Sequence, residues 1–290
     1  MLVAMFLLGL LYVAFVGILI AIGVQVVVVL VIAGAVLFAQ YFFSAKIALF
    51  GMGGREVTRE QAPELHAVVD RLCALADMQK PKVAIADTDI PNAFATGRNQ
   101  KNSVVCVTTG LMRRLDEPEV EAVLSHELSH VAHHDVAVMT IASFLGILAG
   151  LLTRFMFYAG LFGGYGGRDN NNDNAAAVEL LIMLVSIVVY AISFLLTRAL
   201  SRYRELSADR SGAILIGRPL VLASALQKVS SEMARIPTRD LRSAEPFNAF
   251  FFTPALANGT SLSSLFSTHP PLEKRLEQLA RLEAEMGRQV

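Results

Sequence analysis

From Met1 to Ala45 the chain carries no charged side chain, and its apolar residues run on without the polar interruptions of an amphipathic helix. At 1.5 Å per residue this is enough chain for two membrane spans of about 20 residues each. The pattern predicts a helical hairpin, residues 2–22 then 26–43, with Gly23 and Gln25 in a tight turn. A cleaved signal peptide would instead show an apolar core of about 7–15 residues behind a basic start.

At Lys46 the pattern turns polar, through Gly51-Met52-Gly53-Gly54-Arg55-Glu56, and a region outside the membrane is expected to begin. Residues 60–78 place Leu65, Val68, Val69, Leu72 and Leu75 at helical spacing, with His66 a surface or packing residue. Two β-type runs follow, residues 82–86 and 103–109, separated by Pro91 to Gly97 and a polar turn; a small sheet or a hairpin fits. A sheet edge there can add an extended peptide as a strand, and an edge without a ligand fits equally well.

Asp116-Glu117-Pro118-Glu119 reads as a capping box with proline in the first turn. The helix it opens is expected to run through Asp135 into the uncharged run Val136 to Thr153, a third span with Arg154 reaching the far interface. Gly163 to Asn174 is expected to be a loop. Leu180 to Thr197 reads as a fourth span, or as a buried helix of the same length. Residues 213–233 suggest a further helix, and residues 235–258 a cover over a cleft, with Phe250-Phe251-Phe252 as core or membrane-surface contact. Asn258-Gly259-Thr260 matches a glycosylation sequon that a cytoplasmic segment would not use. After Pro271, Leu272, Leu276, Leu279 and Leu282 form one helical stripe.

Composition sharpens the class. The 290 residues are 54% hydrophobic and only 17% charged, with zero formal net charge. A multi-pass, mostly α membrane protein is expected, with an α+β cytoplasmic domain carrying a small sheet. The division is 1–45 hairpin, 46–135 first part of the cytoplasmic domain, 136–200 two further apolar helices, and 201–290 its second part. Balanced charge argues against a nucleic-acid partner. Cys73 and Cys106 form no paired motif and read as buried thiols. Lys46, Arg55, Arg59, Arg113, Arg114, Arg198, Arg202 and Arg204 cluster on one side of the spans, against Arg168 and Arg154 on the other, which points that side to the cytoplasm.

The chemistry centres on His126-Glu127-Leu128-Ser129-His130. Residues four apart share a helix face, so His126 and His130 can ligate one ion, and neutral imidazoles suit zinc. Glu127, about 100° round the helix, is placed as a general base. His133 and His134 are poor ligands, because three successive turns of one straight helix cannot converge on one ion. If the third and fourth spans pack antiparallel, Glu205 completes a two-histidine, one-glutamate set. Asp209, one turn on, can then accept a hydrogen bond from a ligating imidazole.

These residues carry a resemblance. H-E-L-S-H before an apolar span, R-E-L-S-A-D after the next, N-A-F-A-T-G upstream and S-T-H-P-P-L-E-K-R-L near the end resemble the HtpX family of membrane zinc metalloproteases. The resemblance implies a zincin-like (gluzincin) peptidase with one Zn2+ per chain on His126, His130 and Glu205, and Glu127 as acid/base. It implies a substrate-binding edge at Asn92, Ala93, Phe94, Ala95 and Thr96, and a late active-site pair, His269 and Arg275, near a developing oxyanion. Taken without the family, His269 is a capping or surface histidine. The family's setting is the bacterial plasma membrane, where it clears damaged or unfolded membrane proteins alongside quality-control partners. The sequence departs from the family pattern at Val131-Ala132-His133-His134-Asp135, where an asparagine and a small residue are expected before the aspartate. Two rivals remain: a narrow processing protease similar to CAAX prenyl proteases, and a non-catalytic metal-binding membrane scaffold.

Overall fold

The computed structural model describes residues 2–21, 26–163, 173–236, 252 and 269–288. The turn at Gly23 and Gln25, the loop with Arg168, Phe250 and Phe251, the sequon at Asn258 and most of the expected cover lie outside the described residues. The chain divides into two compact units, Met1–Gln40 with Met139–Leu200 and Tyr41–Val138 with Ser201–Val290. Among the described residues four helices are long and apolar enough to cross a membrane, over Val3–Ala21, Gly34–Met52, Asp135–Arg154 and Leu180–Ile216.

In the first unit, α1 (Leu2–Ala21) places Phe15 and Leu19 against Leu148, Ala149 and Leu152 of α6 (Asp135–Gly163) and Ile182 and Val189 of α7 (Asp173–Ile216). Thr197 on α7 donates to the Ala142 carbonyl of α6, so the two helices also meet through a hydrogen bond. In such helix pairs small residues permit close approach, and Gly146 faces Ser193 in this way.

The second unit is built on a four-stranded sheet. β1 (Gly54–Glu56) pairs antiparallel with β2 (Lys82–Ala86), β2 parallel with β4 (Ser103–Thr108), and β4 antiparallel with β3 (Ala93–Gly97), giving the order β1-β2-β4-β3. The two runs seen in the sequence are thus parallel neighbours and not a hairpin. The segment between them is itself a strand, at one end of the sheet order. Every residue of β4 is buried, as a central strand covered on both faces must be.

One face of the sheet packs on α3 (Pro63–Leu75), α5 (Glu117–Ala132), α8 (Pro219–Arg235) and α9 (Leu272–Met286) through a core that includes Val83, Val105, Leu72, Leu124, Leu226 and Leu279. The other face, Ala84, Ala86, Phe94, Val104 and Cys106, packs on Ala45, Ala48, Leu49 and Met52. Those four lie on one face of α2 (Val26–Met52), so the helix continues past the polar break at Lys46 because its last two turns cover the sheet. His66 is buried, its Nε2 3.0 Å from the Val57 carbonyl, and so is a packing residue.

Two other helices end where the sequence pattern continued. The expected helix over 213–233 is broken at Gly217, which takes φ +66°, while Arg218 N–H bonds back to Ala213 and Pro219 opens α8. α5 starts with the expected capping box of Asp116 and Glu119 but stops at Ala132. His133 caps it and His134 turns the chain with φ +56°, a left-handed conformation that costs a non-glycine residue roughly 1–2 kcal/mol. α6 then starts afresh at Asp135.

Candidate metal centre

α5 and α7 cross closely. Ser125 Oγ donates to the carbonyl of Gly212 at 3.1 Å. On α7, Glu205, Asp209 and Gly212 follow at helical spacing, so one face of that helix presents a carboxylate, a second carboxylate and then bare backbone to α5.

At the crossing, His126 Nε2 lies 3.2 Å from His130 Nε2 and 3.7 Å from Glu205 Oε2, and His130 Nε2 lies 3.4 Å from Glu205 Oε1. Ligands at about 2.0–2.1 Å in a tetrahedron stand about 3.4 Å apart, so the two imidazole nitrogens and the Glu205 carboxylate, whose oxygens each face one ring, have spacings close to those of a zinc site. Both imidazoles point their other nitrogen at a carboxylate: His126 Nδ1 is 2.9 Å from Asp209 Oδ1, and His130 Nδ1 is 2.6 Å from Asp135 Oδ2. With the proton on Nδ1 in each ring, two lone pairs face each other across the gap, an arrangement that a cation relieves. Charge agrees. With the histidines neutral, the carboxylates Glu205, Asp209 and Asp135 outnumber the buried guanidiniums of Arg204 and Arg275, an excess of negative charge that favours a cation. The residues present therefore fit a divalent metal.

Glu127 is buried beside this gap, and Ala95 N–H of edge strand β3 donates to its Oε2 at 3.0 Å. Burial pushes its carboxyl up to about 8, against the opposing pull of His130. Burial depresses His126 against the pull of Asp209. Burial alone would also depress His130, but Glu205 and then Glu127 outweigh it and raise that ring.

Of the remaining expected residues, His269 and Arg275 reach this place, whereas Phe94 turns to the sheet face covered by α2. His269 Nδ1 lies 2.8 Å from Glu205 Oε2, so this imidazole buttresses the carboxylate. The Arg275 guanidinium, 1% exposed, grips both oxygens of Asp209 at 2.7 and 2.6 Å and donates to the Phe252 carbonyl. Asn92 is buried, its Oδ1 accepting from Phe252 N–H, and Thr96 and Phe94 are buried within β3. The side chains of His133 and His134 are exposed, unlike those of the buried site residues.

Sequence reasoning missed two residues. Phe252 sets its ring edge-on to His126 at 5.1 Å and lies under the Arg275 guanidinium at 5.2 Å. Asp135 reaches His130 only because of the turn at His134. The first sits in a run of three phenylalanines whose pattern names no site; the second was visible as an acidic residue five positions past a candidate ligand.

A cation-sized gap between two imidazoles and a glutamate, with a buried carboxylate beside it and bilayer-length helices in the same chain, defines a membrane metalloprotease as a class. The profile of Peptidase family M48 matches residues 59–283, and the chain belongs to that family. It is 60% identical over 285 residues to Protease HtpX homolog 1 of Streptomyces coelicolor, covering 98% of this chain and 92% of that one. It is 54% identical over 287 residues to the Protease HtpX homolog of Moorella thermoacetica, covering 99% and 94%. The crystal structure of Ste24p from S. mikatae superposes with a TM-score of 0.58 at 17% identity, over 93% of this chain and 62% of that one. The chain thus spans under two thirds of Ste24p, and that likeness is one of fold.

Proposed function

We propose that the chain is a zinc-dependent endopeptidase of the plasma membrane, acting on damaged or unfolded membrane proteins at a site facing the cytoplasm. His126, His130 and Glu205 hold the ion and Glu127 is the acid/base. The observation that carries this reading is the convergence of two imidazoles and one carboxylate, with a ligand atom of each within 4.8 Å of the others and each Nδ1 facing a carboxylate of its own. Its zinc specificity follows the donor set, two imidazole nitrogens and one carboxylate oxygen.

Held by His126, His130 and Glu205, zinc would supply Lewis acidity toward water and the scissile carbonyl. Glu127 is placed to take a proton from the attacking water and to return one to the leaving amine. Ala93 and Ala95 turn their main-chain groups away from β4, and Ala95 bonds Glu127, so a peptide added along β3 passes its backbone beside that carboxylate. His269 holds Glu205, and Arg275 holds Asp209, so in this arrangement they order the ligand carboxylate and its neighbour. The cytoplasmic orientation rests on the basic residues flanking the spans.

The test is metal analysis of the full chain purified in detergent, paired with cleavage of an unfolded membrane-protein reporter. One zinc per chain is expected, with cleavage lost to a chelator and restored by added zinc. Cleavage that survives complete removal of metal overturns the reading.

A further inference from the structure

Each metal-facing imidazole is backed by a carboxylate, and each of those carboxylates by an arginine. On one side stand His126, Asp209 and Arg275; on the other stand His130, Asp135 and Arg204. We propose that Asp135 and Arg204 are positioning residues for metal binding: Asp135 holds the His130 ring in register, and Arg204 ties that register to α7 one residue before Glu205. The inference rests on the reading of His130 and Glu205 as ligands.

The backbone is arranged for this contact. In a continued helix, residue 135 would stand about 7.5 Å beyond His130 along the axis and well round from it. The break after Ala132 and the left-handed His134 bring Asp135 Oδ2 back to 2.6 Å from His130 Nδ1. Arg204 pairs with Asp135 and also donates to the His133 carbonyl at 3.2 Å, so it pins both the carboxylate and the turn that delivers it. Asp135 and Arg204 are each 7% exposed. Burying such a pair gains little or no stability over apolar residues of the same volume, so its use here points to orientation of the neighbouring ligand. Because Arg204 precedes Glu205 in the chain, this pair joins the helix that supplies two ligands to the helix that supplies the third.

The experiment is zinc affinity by chelator competition on the full chain in detergent, for wild type, Asp135→Ala, Asp135→Asn and Arg204→Met, with thermal unfolding of each metal-free protein. Asp135→Ala is expected to raise the zinc Kd ten- to a hundredfold. Asp135→Asn retains an acceptor for Nδ1–H and is expected to recover most of that loss, and Arg204→Met to fall between. Wild-type zinc affinity in a folded Asp135→Ala protein overturns the proposal. So does an Asp135→Asn protein that fails to recover zinc affinity and loses as much metal-free stability as Asp135→Ala, since the carboxylate would then be structural. If Asp135→Ala does not fold, wild-type affinity in both other variants overturns it. A wild type that holds no zinc would instead sink the peptidase reading itself.

Discussion

Gly212 of α7 lies directly against the backbone of His126: a Cβ at position 212 would stand 2.8 Å from His126 N and 2.9 Å from its Cα. Neither atom can swing aside as a side-chain tip would, because both belong to the middle of a buried helix. Gly212→Ala must therefore push α7 from α5 and carry Glu205 away from the imidazoles. Zinc affinity measured by chelator competition should fall at least tenfold, and Gly212→Val should fall further. Equal affinity in wild type and Gly212→Ala would show that the crossing has slack.

Glu127→Gln keeps the size of the side chain and one oxygen that can accept from Ala95 N–H, but cannot take up a proton. Zinc content should stay at one per chain while hydrolysis drops by about a hundred- to ten-thousandfold, the usual range for a lost general base. A variant of full hydrolytic activity would remove Glu127 from the chemistry.

Protons and zinc compete for the same imidazole nitrogens. His130 is raised, so it holds its proton to a higher pH than a free histidine, whose midpoint is about 6.5. Acidification therefore adds protons to the site and must displace the ion, so zinc affinity should already weaken between pH 8 and 6.5 and fall steeply below. Titration of zinc binding at fixed chelator over pH 5.5–8 tests the sign. Affinity that rises on acidification would mean that these rings are not the donors.

Cys73 and Cys106 are buried, and burial pushes their thiols up to about 11 and about 12. At pH 8 neither has an appreciable thiolate fraction, so both should resist alkylation in the native protein and react only on unfolding. A double Cys→Ala variant should keep its zinc. Rapid native-state labelling of Cys106 would show that the sheet face covered by α2 opens.

Local patterns announced much of this architecture. The candidate ligands His126 and His130 and the candidate base Glu127 were marked by spacing, and the candidate Glu205 by its place just after an apolar run. What the sequence left hidden depends on tertiary context. The parallel pairing of β2 with β4 is decided by β3 and β1 taking the outer places, which no run of alternating residues encodes. The extra turns of α2 exist because Ala48 and Leu49 find a sheet face to cover. Asp135 enters the site through a left-handed histidine, a conformation that even the residue types enriched in it adopt only in a small minority of cases. Phe252 contributes an aromatic edge and a carbonyl from a segment with weak periodicity, so nothing in its surroundings marked it.

The residue separation between Asp209 and Arg275 is 66. During synthesis, the buried aspartate behind His126 therefore lacks its counter-cation until the ribosome has added that many more residues, by which time all of α7 has been made. Order of translation thus sets order of assembly: the newborn enzyme lays down its lipid-facing helices before the electrostatic frame of its own cutting centre is complete.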